Sequence, residues 1–304
     1  MDLINITAKY LRPFLPERNR DSHKGDYGKV LIVAGSRGMT GAAILSARAA
    51  LKAGAGLVTV ACPDSEQPVL ACALAEAMTL PLPSKDGAAA LKAAGKILAF
   101  QREKKYDVCL LGPGLSLKGS APEFVRTLLK KLEMPAVVDA DALNALPPGG
   151  GPSFLKSGPV RIFTPHEGEA LRLLRSALRF PRPVPNRRAL LAALHAGLGG
   201  ICLLKGGGTL ITDGRKFLRN TTGGPALAKG GAGDVLAGLI AGLWAQAGRK
   251  NGFTQNTALE SAALGVYLHG LCGDLAAVSL TERCVLAGEL LKFLPAAFRK
   301  VKNI

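Results

Sequence analysis

The chain has 304 residues, 48% of them hydrophobic, enough for one large α/β domain with an ample core. Its formal charge of +17 is scattered over helix faces (Lys130, Lys131, Arg172, Arg175, Arg179), with a denser patch at Arg182, Arg187 and Arg188. Aromatic residues are only 5% and do not interleave with the basic ones, so the charge argues against a nucleic-acid groove reader.

The first 20 residues mix acids and bases and lack an apolar signal core, which leads us to expect a cytoplasmic protein. Short apolar runs then alternate with longer helical stretches. Strands are expected at Val30–Ala34, Leu57–Ala61, Val108–Leu111, Ala136–Asp139, Val160–Phe163 and Ile201–Leu204. Helices are expected at Gly41–Ala53, Ala88–Ala99, Ala121–Leu132, Pro165–Arg179, Arg187–Leu198, Asp234–Gln246, Thr257–Ala276 and Ala287–Phe298. A proline-rich excursion, Phe180–Asn186, interrupts the series, and Thr209–Thr212 with Lys216–Arg219 read as a hairpin beside the sheet, turned at Asp213-Gly214. Continuously apolar strands alternating with helices predict a mostly parallel sheet covered on both faces. No run approaches the length of a membrane span, so no membrane partner is expected. The six cysteines form no CxxC pair and, lying mostly in apolar segments, read as reduced core residues.

In such a sheet, ligands bind beyond the carboxyl ends of the strands. Those ends here are Gly35–Gly41, Leu111-Gly112-Pro113-Gly114, Asp139-Ala140-Asp141, Thr164-Pro165-His166-Glu167 and Lys205-Gly206-Gly207-Gly208-Thr209. The spacing of Gly35, Gly38 and Gly41 is not a Rossmann fingerprint, and no P-loop motif occurs anywhere. A phosphoryl-transfer reading therefore rests on Gly230–Asp234, where glycines let backbone N–H groups converge at the start of an apolar helix. By itself Asp234 reads more readily as a helix cap than as a base. Thr164, Pro165 and Glu167 read as a capping box, with His166 left over; Asp139 and Asp141 could hold a metal, but Asp141 also suits the cap of a short helix and a structural role is favoured there; Lys205 stands at the ligand edge.

Read together, HKGDYG (His23–Gly28), AGSRGMTGAA, KAGAGLVTV, LGPGL, VVDADALN, TPHEGE, LLKGGGT and GGAGDVLAG, with Leu268-His269-Gly270 beyond them, resemble the NAD(P)H-hydrate dehydratases of the ribokinase-like superfamily in order and spacing. The chain departs from the family pattern at Gly224, where T-G-N-P becomes Thr222-Gly223-Gly224-Pro225, and at Ala75-Glu76-Ala77-Met78. The resemblance implies a single ribokinase-like domain over residues 1–304, without the N-terminal epimerase domain that many relatives carry. It also implies repair of hydrated NADH or NADPH (the S epimer), driven by ADP or ATP with Mg²⁺, in a homotetramer. Asp234 would be the general base, and Gly231, Ala232 and Gly233 the anion hole. Ala42, Gly114, His166 and Asp234 would meet the dinucleotide; Lys205, Gly206, Gly207, Gly208, Thr209 and Gly233 would meet the adenine nucleotide. Two rival readings are an alcohol kinase of the same superfamily, such as a hydroxymethyl-pyrimidine kinase, and a non-catalytic nucleic-acid-binding or regulatory protein.

Overall fold

A computed structural model describes residues 2–148, 153–174 and 186–303. The end of the expected helix beyond Leu174, the proline-rich run 180–185, and Arg175, Arg179 and Arg182 lie outside the described residues. The strands are β1 Leu3–Ile6, β2 Lys29–Val33, β3 Leu57–Pro63, β4 Met78–Leu82, β5 Ser84–Lys85, β6 Ala88–Ala89, β7 Val108–Leu111, β8 Ala136–Val138, β9 Arg161–Phe163, β10 Ile201–Leu204, β11 Leu210–Thr212 and β12 Phe217–Asn220. The helices are α1 Ala8–Leu11, α2 Thr40–Ala53, α3 Gln67–Ala73, α4 Ala93–Lys104, α5 Ala121–Lys131, α6 Ala140–Asn144, α7 Glu167–Leu174, α8 Arg187–Leu198, α9 Ala232–Asn251, α10 Gln255–Leu280 and α11 Ala287–Lys302.

Ten strands form one sheet in the order β1-β12-β11-β10-β9-β8-β7-β2-β3-β4, while β5 and β6 pair separately. Only β11 runs against the rest, pairing antiparallel with both β10 and β12. The expected hairpin is thus part of the sheet and not beside it, and β1 extends it by pairing parallel to β12. The apolar strands bury both faces: Val30 and Ile32 join the core under α2, α9, α10 and α11, while Leu31 and Val33 join the core on the other face.

Three expectations change. Ala88 and Ala89 are a strand pair closing on a turn at Asp86 and Gly87, both left-handed, and the helix begins only at Ala93. Four cysteines are buried, but Cys72 and Cys284 are exposed; all six are free. The helix α10 is long and apolar enough by composition to cross a membrane, contrary to the expectation from shorter runs. Its most apolar window is 61% buried within the fold, against α9 and α11, and it serves as a core helix here.

The helix that carries Asp234 is held unusually close to α2. A Cβ at Gly238 would strike the Ser46 carbonyl oxygen, and one at Gly242 would crowd that of Ala50. These two glycines accept a helix-propensity cost of about 1 kcal/mol each so that two backbones can touch. The Ser46 hydroxyl then donates to the Asp234 carbonyl at 3.1 Å, so the contact fixes the first turn of α9 against α2.

Candidate active site

Parallel strands order their carboxyl ends by sheet neighbour. Because β8, β9 and β10 lie side by side, the residues that follow them, Asp139, Thr164 and Lys205, are brought together at one edge. The Lys205 ammonium donates to Asp139 Oδ1 at 2.7 Å, and the Thr164 hydroxyl donates to the same oxygen at 2.7 Å. Asp139 is almost fully buried, and its position is enforced from both sides. A Cβ at Gly112 would collide with its carbonyl oxygen, and Ala140 after it is held at a left-handed φ of 47°.

Asp234 approaches this group from the start of α9. Gly231, at φ 90°, ends the loop and is the N-cap, so Asp234 is the third residue of the helix and caps nothing. Its carboxylate has no hydrogen bond or ion pair among the described residues. Burial, then repulsion from Asp139 and Asp141, raises its pKa to about 6, against the pull of Lys205. The N–H groups of Gly231, Gly233 and Asp234 likewise have no backbone acceptor among the described hydrogen bonds, whereas Ala232 N–H donates to the Lys229 carbonyl. Of the three amides expected to form an anion hole, those of Gly231 and Gly233 are thus open, that of Ala232 donates to Lys229 at 3.3 Å, and the amide of Asp234 beside them is also open. A helix N-terminus with open amides and a partnerless carboxylate can bind a phosphoryl group and accept a proton.

Lys205 stands between these parts. Its ammonium is 3.5 Å from where a Cβ of Gly233 would lie. Burial works to lower its pKa, but Asp139, Glu169 and Asp234 outweigh burial and hold it above the usual lysine value. The run Lys205–Thr209 and Gly233 line a cavity of about 550 Å³, together with Asn220, Thr222, Gly224, Lys229 and His269. Gly223 also lines it, and its N–H is held by both oxygens of Asp274, at 3.1 and 3.0 Å.

The capping box at α7 is not where the spacing of Thr164 and Glu167 suggested. His166 N–H donates to Glu169 Oε2 at 2.8 Å, while Gly168 N–H donates to His166 Nδ1 at 3.1 Å. Thr164 is unavailable because it serves Asp139. The His166 backbone bridges to Lys205, which places this histidine at the same edge. Burial raises the pKa of Glu169, with Lys205 opposing. Asp141, read as a cap, lies inside α6, where it accepts from Ser116 N–H at 2.8 Å; the residue preceding that helix is Asp139. Ala42 and Gly114 also meet, since a Cβ on Gly114 would come within 3.1 Å of Ala42 Cβ, with Met39 beside them.

One motif is elsewhere. His23–Gly28 lies at the amino ends of β2 and β3, where a Cβ at Gly28 would press on the Ala245 carbonyl near the far end of α9. A second cavity of about 350 Å³ lies there, lined by Asp26, Tyr27 and Gln246 and by none of the residues at the Asp234 edge.

Sequence reasoning noted His269 within a family motif but gave it no role. Burial lowers its pKa to about 4, with Lys205 adding to the effect and a hydrogen bond to the Ala232 backbone opposing it, so the ring is neutral. It also left Asp139 and Thr164 in structural roles. Reading the ends of three adjacent parallel strands as spatial neighbours would have grouped them with Lys205.

A family model described as NAD(P)H-hydrate dehydratase matches residues 30–296. Over 301 residues, 98% of its length, the chain is 44% identical to a bifunctional NAD(P)H-hydrate repair enzyme of Moorella thermoacetica, of which it covers 54%. It thus spans about half the length of the bifunctional relatives that it matches. It is 33% identical to an ADP-dependent (S)-NAD(P)H-hydrate dehydratase of Listeria monocytogenes, over 95% of this chain and 94% of that one. An ADP/ATP-dependent NAD(P)H-hydrate dehydratase from Bacillus subtilis, co-crystallised with ATP and Mg²⁺, superposes with a TM-score of 0.80 at 31% identity, covering 99% of each chain.

Proposed function

The chain belongs to the NAD(P)H-hydrate dehydratase family, with a ribokinase-like fold, and we propose that it dehydrates the S form of hydrated NADH or NADPH at the expense of ADP or ATP. The observation that carries this reading is the Asp234 carboxylate, partnerless and with its pKa raised to about 6, set among open amides at the start of α9.

The chemistry follows from what a ring hydroxyl needs. Hydroxide is a poor leaving group, whereas phosphate is a good one. Asp234 takes the hydroxyl proton as the oxygen attacks the terminal phosphoryl group, and the shortened nucleotide leaves. The amides of Gly231, Gly233 and Asp234 stabilise the charge on the phosphoryl oxygens. Phosphate then departs from the ring carbon, a proton leaves the adjacent carbon, and the dihydropyridine is restored. Ala42, Gly114 and His166 hold the dinucleotide on one side of Asp234. The run Lys205–Thr209 and Gly233 hold the adenine nucleotide in the 550 Å³ cavity on the other.

We infer that Mg²⁺ accompanies the nucleotide. Among the described residues no group of three or more His, Cys, Asp or Glu could hold a metal ion. Asp139, Asp141 and Glu169 are each taken by other donors. The residues present thus fit an ion carried on the phosphates with its water, and not a protein cage. A cytoplasmic location and a tetramer are inferred from the sequence alone; light scattering on the purified protein tests the tetramer.

The experiment is a repair assay with hydrated NADH and Mg²⁺, run in parallel with ADP and with ATP. Recovery of the NADH absorbance with either nucleotide supports the proposal. Accumulation of a stable phosphorylated product makes the protein a kinase, and no reaction with either nucleotide refutes the reading.

A further inference from the structure

A partnerless carboxylate beside a buried ammonium needs an explanation. The two charges act on each other, and opposite charges attract more strongly in a water-poor wall than in solvent. Left alone, Lys205 would settle on Asp234, and an ion-paired aspartate is a poor base. In the structure Lys205 is bound at 2.7 Å to Asp139 instead. Asp139 is in turn locked by Thr164, by the crowding of Gly112 and by the strained Ala140.

We propose that Asp139 is a positioning residue whose task is to keep the Lys205 ammonium on itself, so that the carboxylate of Asp234 stays open to the substrate hydroxyl. The proposal rests on the reading of Asp234 as base. Its groundwork is geometric: two donors converge on one oxygen of a buried carboxylate, and Lys205, 3.5 Å from where a Cβ of Gly233 would lie, makes its ion pair with Asp139 and none with the neighbouring base. The groups that face Asp234 are few. Asp139 follows β8, Asp141 lies in α6 and Lys205 follows β10. On α2, packed against α9, the contact is the neutral Ser46 hydroxyl, made to the Asp234 carbonyl. Glu169 on α7 helps hold the Lys205 pKa up, and Lys205 in turn helps keep His269 on α10 neutral. Lys205 is thereby left as a cation anchored at its back, with further N–H donors to offer a phosphate in the cavity that it lines.

The test is the acid limb of kcat/KM against pH in the full chain. In Asp139→Asn, Lys205 is released onto Asp234. The limb then moves to lower pH by about one unit, the scale of a neighbouring opposite charge, and turnover at neutral pH falls about tenfold or more. In Lys205→Met the limb moves to higher pH. In the double variant Asp139→Asn shifts the limb far less than it does alone, because no ammonium is left to release. A limb that stays at its wild-type position in folded Asp139→Asn overturns the proposal. So does a shift of the same size with and without Lys205, which would make Asp139 a repulsive neighbour and nothing more. Should Asp139→Asn fail to fold, Thr164→Val, which removes the second donor that locks Asp139, takes its place in the same comparison with and without Lys205, and an unmoved limb overturns the proposal. Asp234→Asn is run alongside: if it retains turnover, the base assignment is wrong, whereas if it is inactive the limb positions judge Asp139 by itself.

Discussion

Two turns in this molecule share one local design and stand at opposite edges of the sheet. In His23-Lys24-Gly25-Asp26 the histidine N–H donates to the carboxylate three residues on at 2.9 Å; in His166-Glu167-Gly168-Glu169 it does so at 2.8 Å. Both histidine rings sit close over the glycine between. The acids differ: the Asp26 side chain is 46% exposed, whereas that of Glu169 is 8% exposed and faces Lys205. The first turn lies at the amino ends of the strands, beside the carboxyl end of α9. The second lies at the carboxyl ends, beside the amino end of α9. A cap of this kind closes a helix start wherever one occurs, and it becomes part of a reaction site only where strand ends and helix dipoles gather open donors.

The sharpest way to break the comparison is at the base. Asp234→Asn should lower turnover about a thousandfold or more, the scale on which an essential base acts, while nucleotide binding measured by calorimetry persists. Next come the paired acids. Glu169→Ala should cut kcat/KM about tenfold or more, since it removes a buried charge beside Lys205 as well as a cap. Asp26→Ala should leave kcat/KM within experimental scatter and cost about 1 kcal/mol of stability in chemical denaturation. Equal losses of activity in the two variants would erase the distinction between the edges. The histidines sharpen it further: His166→Ala should raise KM for the dinucleotide several-fold, the loss of about 1 kcal/mol of contact, and His23→Ala should not.

The smallest effect concerns stability. The raised pKa of Asp234 means that the folded state holds this proton more tightly than the unfolded chain does. Its contribution therefore favours folding below the ordinary aspartate value near 3.8. That advantage is lost as pH rises through about 6, leaving a penalty on the order of 3 kcal/mol at neutral pH. Asp234→Asn should accordingly melt higher than the wild type at pH 7 and show less advantage at pH 4. Turnover in the wild type runs the other way and falls as pH drops through about 6, because the base must be ionised. A melting temperature lowered by Asp234→Asn at neutral pH would mean that the carboxylate has a stabilising partner.

Much of this was legible in the sequence, for reasons that differ by region. The central strands announce themselves because burial on both faces demands unbroken apolar runs, as in Val108–Leu111 and Ile201–Leu204. The edge strands do not: β1 is mostly exposed, and β4 carries Pro81 and alternates, so neither shows such a run. Asp86-Gly87 was a readable hairpin signal that the alanines after it concealed. The sequence TPHEGE offers two acids at capping distance, from Thr164 and from His166, and spacing cannot choose between them. The choice is made by Asp139 across the sheet, which draws the Thr164 hydroxyl away. That contact joins residues 25 apart, and only the strand order brings them together.

The central claim is that phosphoryl transfer onto the ring hydroxyl at Asp234 drives the loss of water. Simultaneous measurement of inorganic phosphate and recovered NADH, from hydrated NADH with the nucleotide that supports repair, tests it most directly. The account predicts one phosphate released for each NADH restored in the wild type, and neither product in Asp234→Asn. NADH restored without phosphate, or at an undiminished rate in Asp234→Asn, would contradict it.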